Sequence, residues 1–358
     1  MFVLAINPGS TSTKFSVFND KELVFENVIR HSNEELSKYN NIIEQNEFRY
    51  LLIREEIIKK GINLEQLSAI VGRGGLLHPL EGGTYLVNED MLQDLREGKY
   101  GEHASNLGAL IADRFAQELK IPAYIVDPVV VDEMNDVSRI SGNPLFERVS
   151  ILHALNQKAV ARLAAEKIEK KYNESNMIVV HLGGGISVGL HVKGKVVDVN
   201  NALDGEGPFT PERSGSLPAG ALAALCFSGE YTLDQVKKLI KGQGGLVAYL
   251  GTNDGREIVS MIENGDTNAY LIYKAMAYQI GKEIGSLAAA NGGNIDAIVI
   301  SGGLAYDKDY LMPWISEMVS FIAPIIIYPG EKEMQALNEG AIRVLKEEEG
   351  AKHYKKDE

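Results

Sequence analysis

Val3-Leu-Ala-Ile-Asn-Pro-Gly-Ser-Thr-Ser-Thr-Lys14 opens with an apolar run, breaks into a turn of small polar residues, and hands over to a second apolar run, Phe15-Ser-Val-Phe18. Apolar runs flanking such a turn read as the two strands of a β-hairpin. The pattern returns in the second half as Ile178-Val-Val180, then His181-Leu-Gly-Gly-Gly-Ile-Ser187, then Val188-Gly-Leu-His-Val192. Each hairpin has a later companion strand that ends in Gly-Gly. These are Leu67-Ser-Ala-Ile-Val-Gly-Arg-Gly-Gly-Leu-Leu77 and Ile295-Asp-Ala-Ile-Val-Ile-Ser-Gly-Gly-Leu-Ala305. Two copies of one pattern imply an internal duplication, with roughly 50 extra residues inserted in the second copy.

Helical periodicity fills the intervals. Ser150–Lys171 repeats apolar residues at Leu152, Leu155, Ala159, Leu163 and Ile168, and Thr267–Asn291 does so at Leu271, Ala275, Ile280, Ile284, Leu287 and Ala288. His103–Leu119 and Glu333–Lys346 are weaker examples. Strands alternating with helices define an α/β class. A length of 358 residues favours two domains, expected at 1–149 and 150–334. A last helix within 335–358 would return to the first domain, and the charged tail Lys346–Glu358 is expected to be frayed.

The chain is 45% hydrophobic, with a mean hydropathy of -0.10 and a net charge of -13. Such an acidic surface argues against nucleic acid and anionic membrane as partners, and requires a local basic site for any anionic substrate. The most apolar stretch, Phe321–Tyr328, is far shorter than the ~20 residues of a membrane-spanning helix. Cys226, the single cysteine, excludes an intrachain disulfide and is expected to be a buried thiol within Ala-Leu-Cys-Phe. With an N-terminus that has no basic leader, these features point to the cytoplasm.

The turn Asn7–Lys14 offers Gly9, the hydroxyls of Ser10, Thr11, Ser12 and Thr13, and the Lys14 ammonium. That is a donor-rich cradle for phosphate oxygens, although it is not a P-loop. Gly183, Gly184 and Gly185 permit a similar close approach in the second turn. Gly302 and Gly303, at the carboxyl end of a strand, suit either an adenosine platform or a plain turn. Arg73 and Arg213 stand among glycines, where a guanidinium can bind carboxylate or phosphate in a two-pronged fashion or form a surface ion pair. Asp127 ends the strand Ala123–Val126, as a functional carboxylate or as a turn cap before Pro128. His153 starts a helix and is by itself a core histidine.

Taken in order, these segments resemble the acetate/butyrate kinase family. The first turn and Val180–Ser187 resemble its two signatures. Arg73 in Gly-Arg-Gly-Gly, Asp127 in Val-Asp-Pro, His153 in Ile-Leu-His-Ala-Leu-Asn-Gln and Arg213 in Glu-Arg-Ser-Gly extend the likeness along the chain. Gly101-Glu-His-Ala-Ser-Asn106 and residues 200–215 are similar to its butyrate kinase branch. The resemblance implies two actin-like/sugar-kinase-like (ribonuclease H-like) domains with an ATP cleft between them. It implies reversible transfer of the ATP γ-phosphate to a short-chain fatty acid, ATP/ADP and Mg²⁺ as cofactors, an acyl phosphate product and a homodimer or higher homo-oligomer. By the same resemblance Asn7 and Glu333, with Glu331 as rival, associate with magnesium. Ser10, Ser12, Lys14, His181, Gly183, Gly184 and Gly185 serve the phosphates, and Gly302 and Gly303 the adenosine. Arg73 holds the acid, Asp127 is the essential carboxylate, and His153 and Arg213 stabilise the transferring phosphoryl group. Gly184 departs from the asparagine usual in acetate kinases, so contact there is by backbone alone. Leu152 stands where acetate kinases tend to have phenylalanine, either making room for a longer acyl chain or filling the core. A branched-chain or acetate-preferring carboxylate kinase and a non-kinase actin-like ATPase are the alternatives.

Overall fold

The computed structural model describes residues 1–357, which divide into two compact units. Met1–Val131 and the segment from Lys332 onward form the first, and Asp132–Glu331 the second.

In the first unit, β1 (Phe2–Pro8), β2 (Ser12–Asn19) and β3 (Glu22–Arg30) form an antiparallel meander. β4 (Leu67–Arg73) lies parallel to β1, and β6 (Ala123–Val126) parallel to β4, with the short β5 (Thr84–Leu86) antiparallel to β6. The spatial order is therefore β3-β2-β1-β4-β6-β5, and a C-terminal strand, Lys352–His353, extends it beside β5. Val3, Leu4, Ala5 and Ile6 are all buried, as expected of a strand covered on both faces. One cover is made by the helices Asn46–Lys59 and Asn106–Leu119, which bring Tyr50, Ile53, Ile57, Leu107, Ile111 and Phe115 onto the sheet. The helix Glu333–Leu345 packs on β1, β4 and β6.

The second unit repeats the scheme. β7 (Asn176–Leu182), β8 (Ile186–Val192) and β9 (Lys195–Val199) form the meander, and β10 (Ala297–Gly302) and β11 (Ile325–Pro329) continue in parallel from β7. The order β9-β8-β7-β10-β11 matches β3-β2-β1-β4-β6 strand for strand. The helix Thr267–Ala290 covers one face through Tyr273, Ile280 and Ile284, and the helix Ala154–Lys167 the other through Val160, Ala161 and Ala164. Each unit thus has the α/β arrangement expected from the duplicated pattern, in the ribonuclease H-like form that the family resemblance implies. No helix among the described residues is long and apolar enough to cross a membrane.

The segment that runs up to Ser150 is tied into the second unit. The Lys158 ammonium is buried against the Glu133 carboxylate at 2.8 Å, Asn135 N–H donates to the Val197 carbonyl, and Arg148 pairs with Asp198 at 3.0 Å. Two expectations are corrected. Among the described residues the tail is docked on the first unit, because Tyr354 is buried and donates from its hydroxyl to Asp94 at 2.7 Å while Asn88 holds its carbonyl. A single aromatic anchor outweighs the charges around it. Cys226 is exposed, because the helix Ala219–Cys226 buries none of its residues in this unit.

Close packing positions the functional strand ends. A Cβ on Gly72 of β4 would lie 2.1 Å from the Gly108 carbonyl oxygen, and one on Gly108 would lie 2.1 Å from that of Arg73. No side chain fits where β4 meets the helix Asn106–Leu119, and the adjoining Arg73 is placed by that crossing. Gly108→Ala is expected to cost about 3 kcal/mol, the upper range for overpacking, since the obstacle is backbone. Urea unfolding of the variant checks this.

A second expectation concerns His31. Burial, and then the Arg49 charge, pull its imidazole down to about 4, and Thr13 Oγ1 lies 2.9 Å from its Nε2. Because the folded value is depressed, the unfolded chain binds a proton that the folded one refuses as pH falls below about 6.5. Stability should drop by up to about 3 kcal/mol between pH 6.5 and 4 on this account. His31→Gln should show a shallower loss over that window in denaturant titrations.

Candidate functional site

In parallel-strand architectures ligands gather at the carboxyl ends of strands, and the predicted residues lie there. In the first unit β1 ends in Asn7 and Pro8, β4 in Arg73, and Asp127 follows β6. Asn7 Nδ2 donates to the Glu333 carboxylate at 2.7 Å. Arg73 Nη1 donates to the same carboxylate oxygen at 3.0 Å and to Asn7 Oδ1 at 3.3 Å. Glu333 is the first residue of its helix, whose N-terminal dipole suits a carboxylate. Three residues far apart in sequence thus form one polar cluster. Among the described residues no group of three or more Asp, Glu, His or Cys could hold a metal by itself. One carboxylate beside an amide oxygen fits magnesium, which keeps waters and borrows phosphate oxygens.

Asp127 is buried and adopts φ +38, a left-handed conformation that costs a non-glycine residue energy. Its Oδ1 accepts from Gly83 N–H at 2.7 Å, and its own N–H donates to the Gly83 carbonyl. The neighbouring loop Gly74-Gly75 is held by Asn106, which accepts from Leu76 N–H at 2.8 Å and donates to the Gly101 carbonyl. The segment Gly101–Asn106 is therefore a brace for the Arg73 loop.

The first turn rests on a residue that no sequence motif marks. Arg49, fully buried, donates to the carbonyls of Gly9 at 2.7 Å, Ser10 at 3.0 Å and Ser12 at 3.0 Å, and to Thr13 Oγ1. Gln45 accepts its remaining donors, and burial lowers the guanidinium to about 10. The available signal lies in its helix, where Arg49 shares the buried stripe of Ile53 and Ile57 at a four-residue spacing. Ser10 is exposed, Ser12 half-buried, and Lys14 Nζ pairs with Glu26 at 2.9 Å.

In the second unit the glycine turn and Arg213 meet. A Cβ on Gly185 would fall 1.9 Å from Arg213 Nη1, so glycine is required for the guanidinium to lie there. Arg213 Nη1 donates to the Ala202 carbonyl, its Nε is buried with no hydrogen-bond partner, and desolvation lowers its pKa. Thr210 Oγ1 donates to the Gly184 carbonyl at 2.7 Å. Gly183, Gly184 and Gly303 line a cavity of about 730 Å³ together with Pro211, Tyr273 and Tyr306. A Cβ on Gly303 would meet nothing within 4 Å, so this loop offers an open surface. Gly302 instead serves the close approach of two chain segments, since its φ is +94 and a Cβ there would strike the Leu182 carbonyl at 2.3 Å.

His153 precedes the helix Ala154–Lys167 and stacks on His181, with centroids 3.9 Å apart and planes 17° apart. Its Nδ1 is 2.9 Å from Ser187 Oγ, and His181 Nδ1 is 2.9 Å from Asn156 Oδ1. His181 Nε2 faces the Glu331 carboxylate at 3.3 Å, whereas Glu333 faces Asn7. Leu152 is only 2% exposed and belongs to the core.

Residues 148–315 match the sequence model of the acetokinase family. Solved structures share the fold over nearly the whole length. An acetate kinase of Porphyromonas gingivalis is similar at a TM-score of 0.77 and 19% identity, covering 96% of this chain and 99% of that one. An acetate kinase of Entamoeba histolytica is similar at 0.74 and 17%, covering 96% and 99%. A propionate kinase of Francisella tularensis subsp. tularensis SCHU S4 is similar at 0.70 and 19%, covering 95% and 98%. The matched residues 148–315, which take in His153, the glycine turn and Arg213, are thus similar to the acetokinase family, and the chain shares its fold with solved acetate and propionate kinases.

Proposed function

We propose that the protein is a carboxylate kinase that moves the γ-phosphate of ATP reversibly onto a short-chain fatty acid, giving an acyl phosphate and ADP, with butyrate as the acid. The observation that carries this is Arg213, a half-buried guanidinium pressed onto the glycine turn with one N–H sealed from solvent and unsatisfied. A buried donor on a cation calls for an anionic oxygen, and the adjoining cavity has room for a nucleoside. The ribose and base occupy that cavity against Gly303, and the phosphates run along Gly183–Gly185. Ser10, Ser12 and Lys14 supply further donors to phosphate.

Phosphoryl transfer is chiefly positioning and charge neutralisation. Arg73 orients the acid's carboxylate, which is already ionised at neutral pH and needs no strong base. Arg213 and His153 spread the equatorial charge of the transferring group, and Asp127 orients rather than abstracts a proton. Magnesium, held by Asn7 and Glu333, supplies further neutralisation when the nucleotide is bound. The contact of Glu333 with Asn7 favours it over Glu331 in this role. The butyrate preference is supported by the segments Gly101–Asn106 and 200–215, not by Leu152. Association into a homodimer or larger homo-oligomer is supported by the exposed apolar helix Ala219–Cys226 and by Phe227, which is 92% exposed. The setting we propose is the cytoplasm.

Incubation with ATP, a C2 to C5 acid and hydroxylamine should trap an acyl hydroxamate, most rapidly with the C4 acid. ADP release that ignores the acid, with no hydroxamate, would point to a plain ATPase instead. Fastest turnover on acetate or a branched acid would revise the substrate alone. Arg213→Ala should lower kcat by roughly 10²- to 10³-fold, as loss of a charge-stabilising donor does, with a smaller change in KM. An unaltered kcat in steady-state assays would remove Arg213 from its role.

A further inference from the structure

A line of buried polar groups runs through the second unit to His153, and each hydrogen bond along it has a determinable direction. Gln157 is the key. Its Nε2 lies 3.0 Å from the Ser187 backbone carbonyl, which can only accept, so the amide nitrogen must face Ser187 and the amide oxygen must face the other way. On that other side His191 Nε2 stands 3.0 Å from Gln157 Oε1, so His191 carries its proton on Nε2. His191 Nδ1, 2.8 Å from Tyr172 Oη, then accepts from the phenol. Full burial, with Lys158 and Arg162 nearby, drives His191 well below its ordinary value, in keeping with a neutral ring.

On the near side, the second Gln157 N–H points at Ser187 Oγ, 2.7 Å away. Ser187 Oγ accepts that bond and also, at 3.5 Å, one from the His153 backbone N–H, which together use both of its lone pairs and leave its single hydrogen to give. His153 Nδ1, at 2.9 Å, receives it. The sequence of donations is therefore Tyr172 to His191, His191 to Gln157, Gln157 to Ser187, and Ser187 to His153, all in one sense. Aligned bonds of this kind polarise one another.

We infer that Gln157 and Ser187 are positioning residues that set the tautomer of His153, keeping its Nδ1 as an acceptor so that the ring presents a neutral Nε2–H donor. His153 then serves as a fixed hydrogen-bond donor and not as a full cation. Stacking at 3.9 Å on His181 fits this, because one neutral ring removes the repulsion that two imidazolium faces would feel. The use of that Nε2–H on the transferring phosphoryl group rests on the kinase reading given above. The tautomer itself does not.

The two are separable by experiment. Long-range ¹H–¹⁵N correlation spectra of the full chain labelled on histidine nitrogens, with His153→Gln to assign the signals, report which ring nitrogen bears the proton. The wild type at neutral pH should show His153 protonated on Nε2 alone. Gln157→Glu, isosteric but without the amide donor, should draw the Ser187 hydroxyl to its own carboxylate and move the His153 proton to Nδ1. Ser187→Ala should leave a mixture of tautomers. Both variants should lose about 10- to 100-fold in kcat with little change in KM for the nucleotide, as outer-shell partners typically do. A wild-type His153 protonated on Nδ1, or on both nitrogens, would overturn the inference, as would a tautomer indifferent to both substitutions. An Nε2–H tautomer that follows the substitutions in a protein lacking acid-dependent turnover would uphold it and refute only the kinase reading.

Discussion

The absence of a Cβ at a handful of positions is the constraint from which the site follows. Gly72 and Gly108 let β4 and the helix Asn106–Leu119 touch backbone to backbone, and this sets the strand end that carries Arg73. Gly185 yields its side-chain space to the Arg213 guanidinium. Gly302 lets β10 end against the Leu182 carbonyl, so that Gly303 opens onto the cavity. At each place the glycine is needed for approach, and what approaches is either the Arg213 guanidinium or another stretch of backbone.

The duplicated architecture explains why both units present polar residues at the same end of the same strands. Asn7 and His181 lie at the ends of the corresponding strands β1 and β7, and Arg73 and Gly302 end β4 and β10. The scaffold is shared while the chemistry has diverged. The first unit builds a carboxylate, amide and guanidinium cluster; the second builds a glycine turn, an arginine and a histidine stack.

Much of this is legible in the sequence because strand and turn patterns are local. The hairpins, the parallel strands ending in Gly-Gly and the long helix Thr267–Ala290 all follow from periodicity over a dozen residues. The turns that carry the glycines stand out for the same reason. What the sequence hides depends on contacts between distant residues. Arg49 belongs to no motif, and its part in the first turn shows only once its helix is laid under that turn. Tyr172, Gln157, Ser187 and His191 show no pattern until β8 and the helix Ala154–Lys167 are packed together. The tail departs from expectation because one tyrosine among lysines and glutamates carries little weight in composition yet fills a core position. Cys226 departs from it because an apolar run need not be an interior, and the helix that holds it faces outward.

Arg49 has a further consequence. Its partners are three backbone carbonyls, a hydroxyl and an amide oxygen, all of them neutral. A cation entombed without countercharge raises the energy of its surroundings, and a value of about 10 leaves it ionised throughout the physiological range. The turn that it holds is exposed at Ser10 and Thr11. Its conformation therefore depends on a charge supplied from beneath, and loss of the guanidinium would strip three carbonyls of their donors at once and loosen the turn from the helix below it.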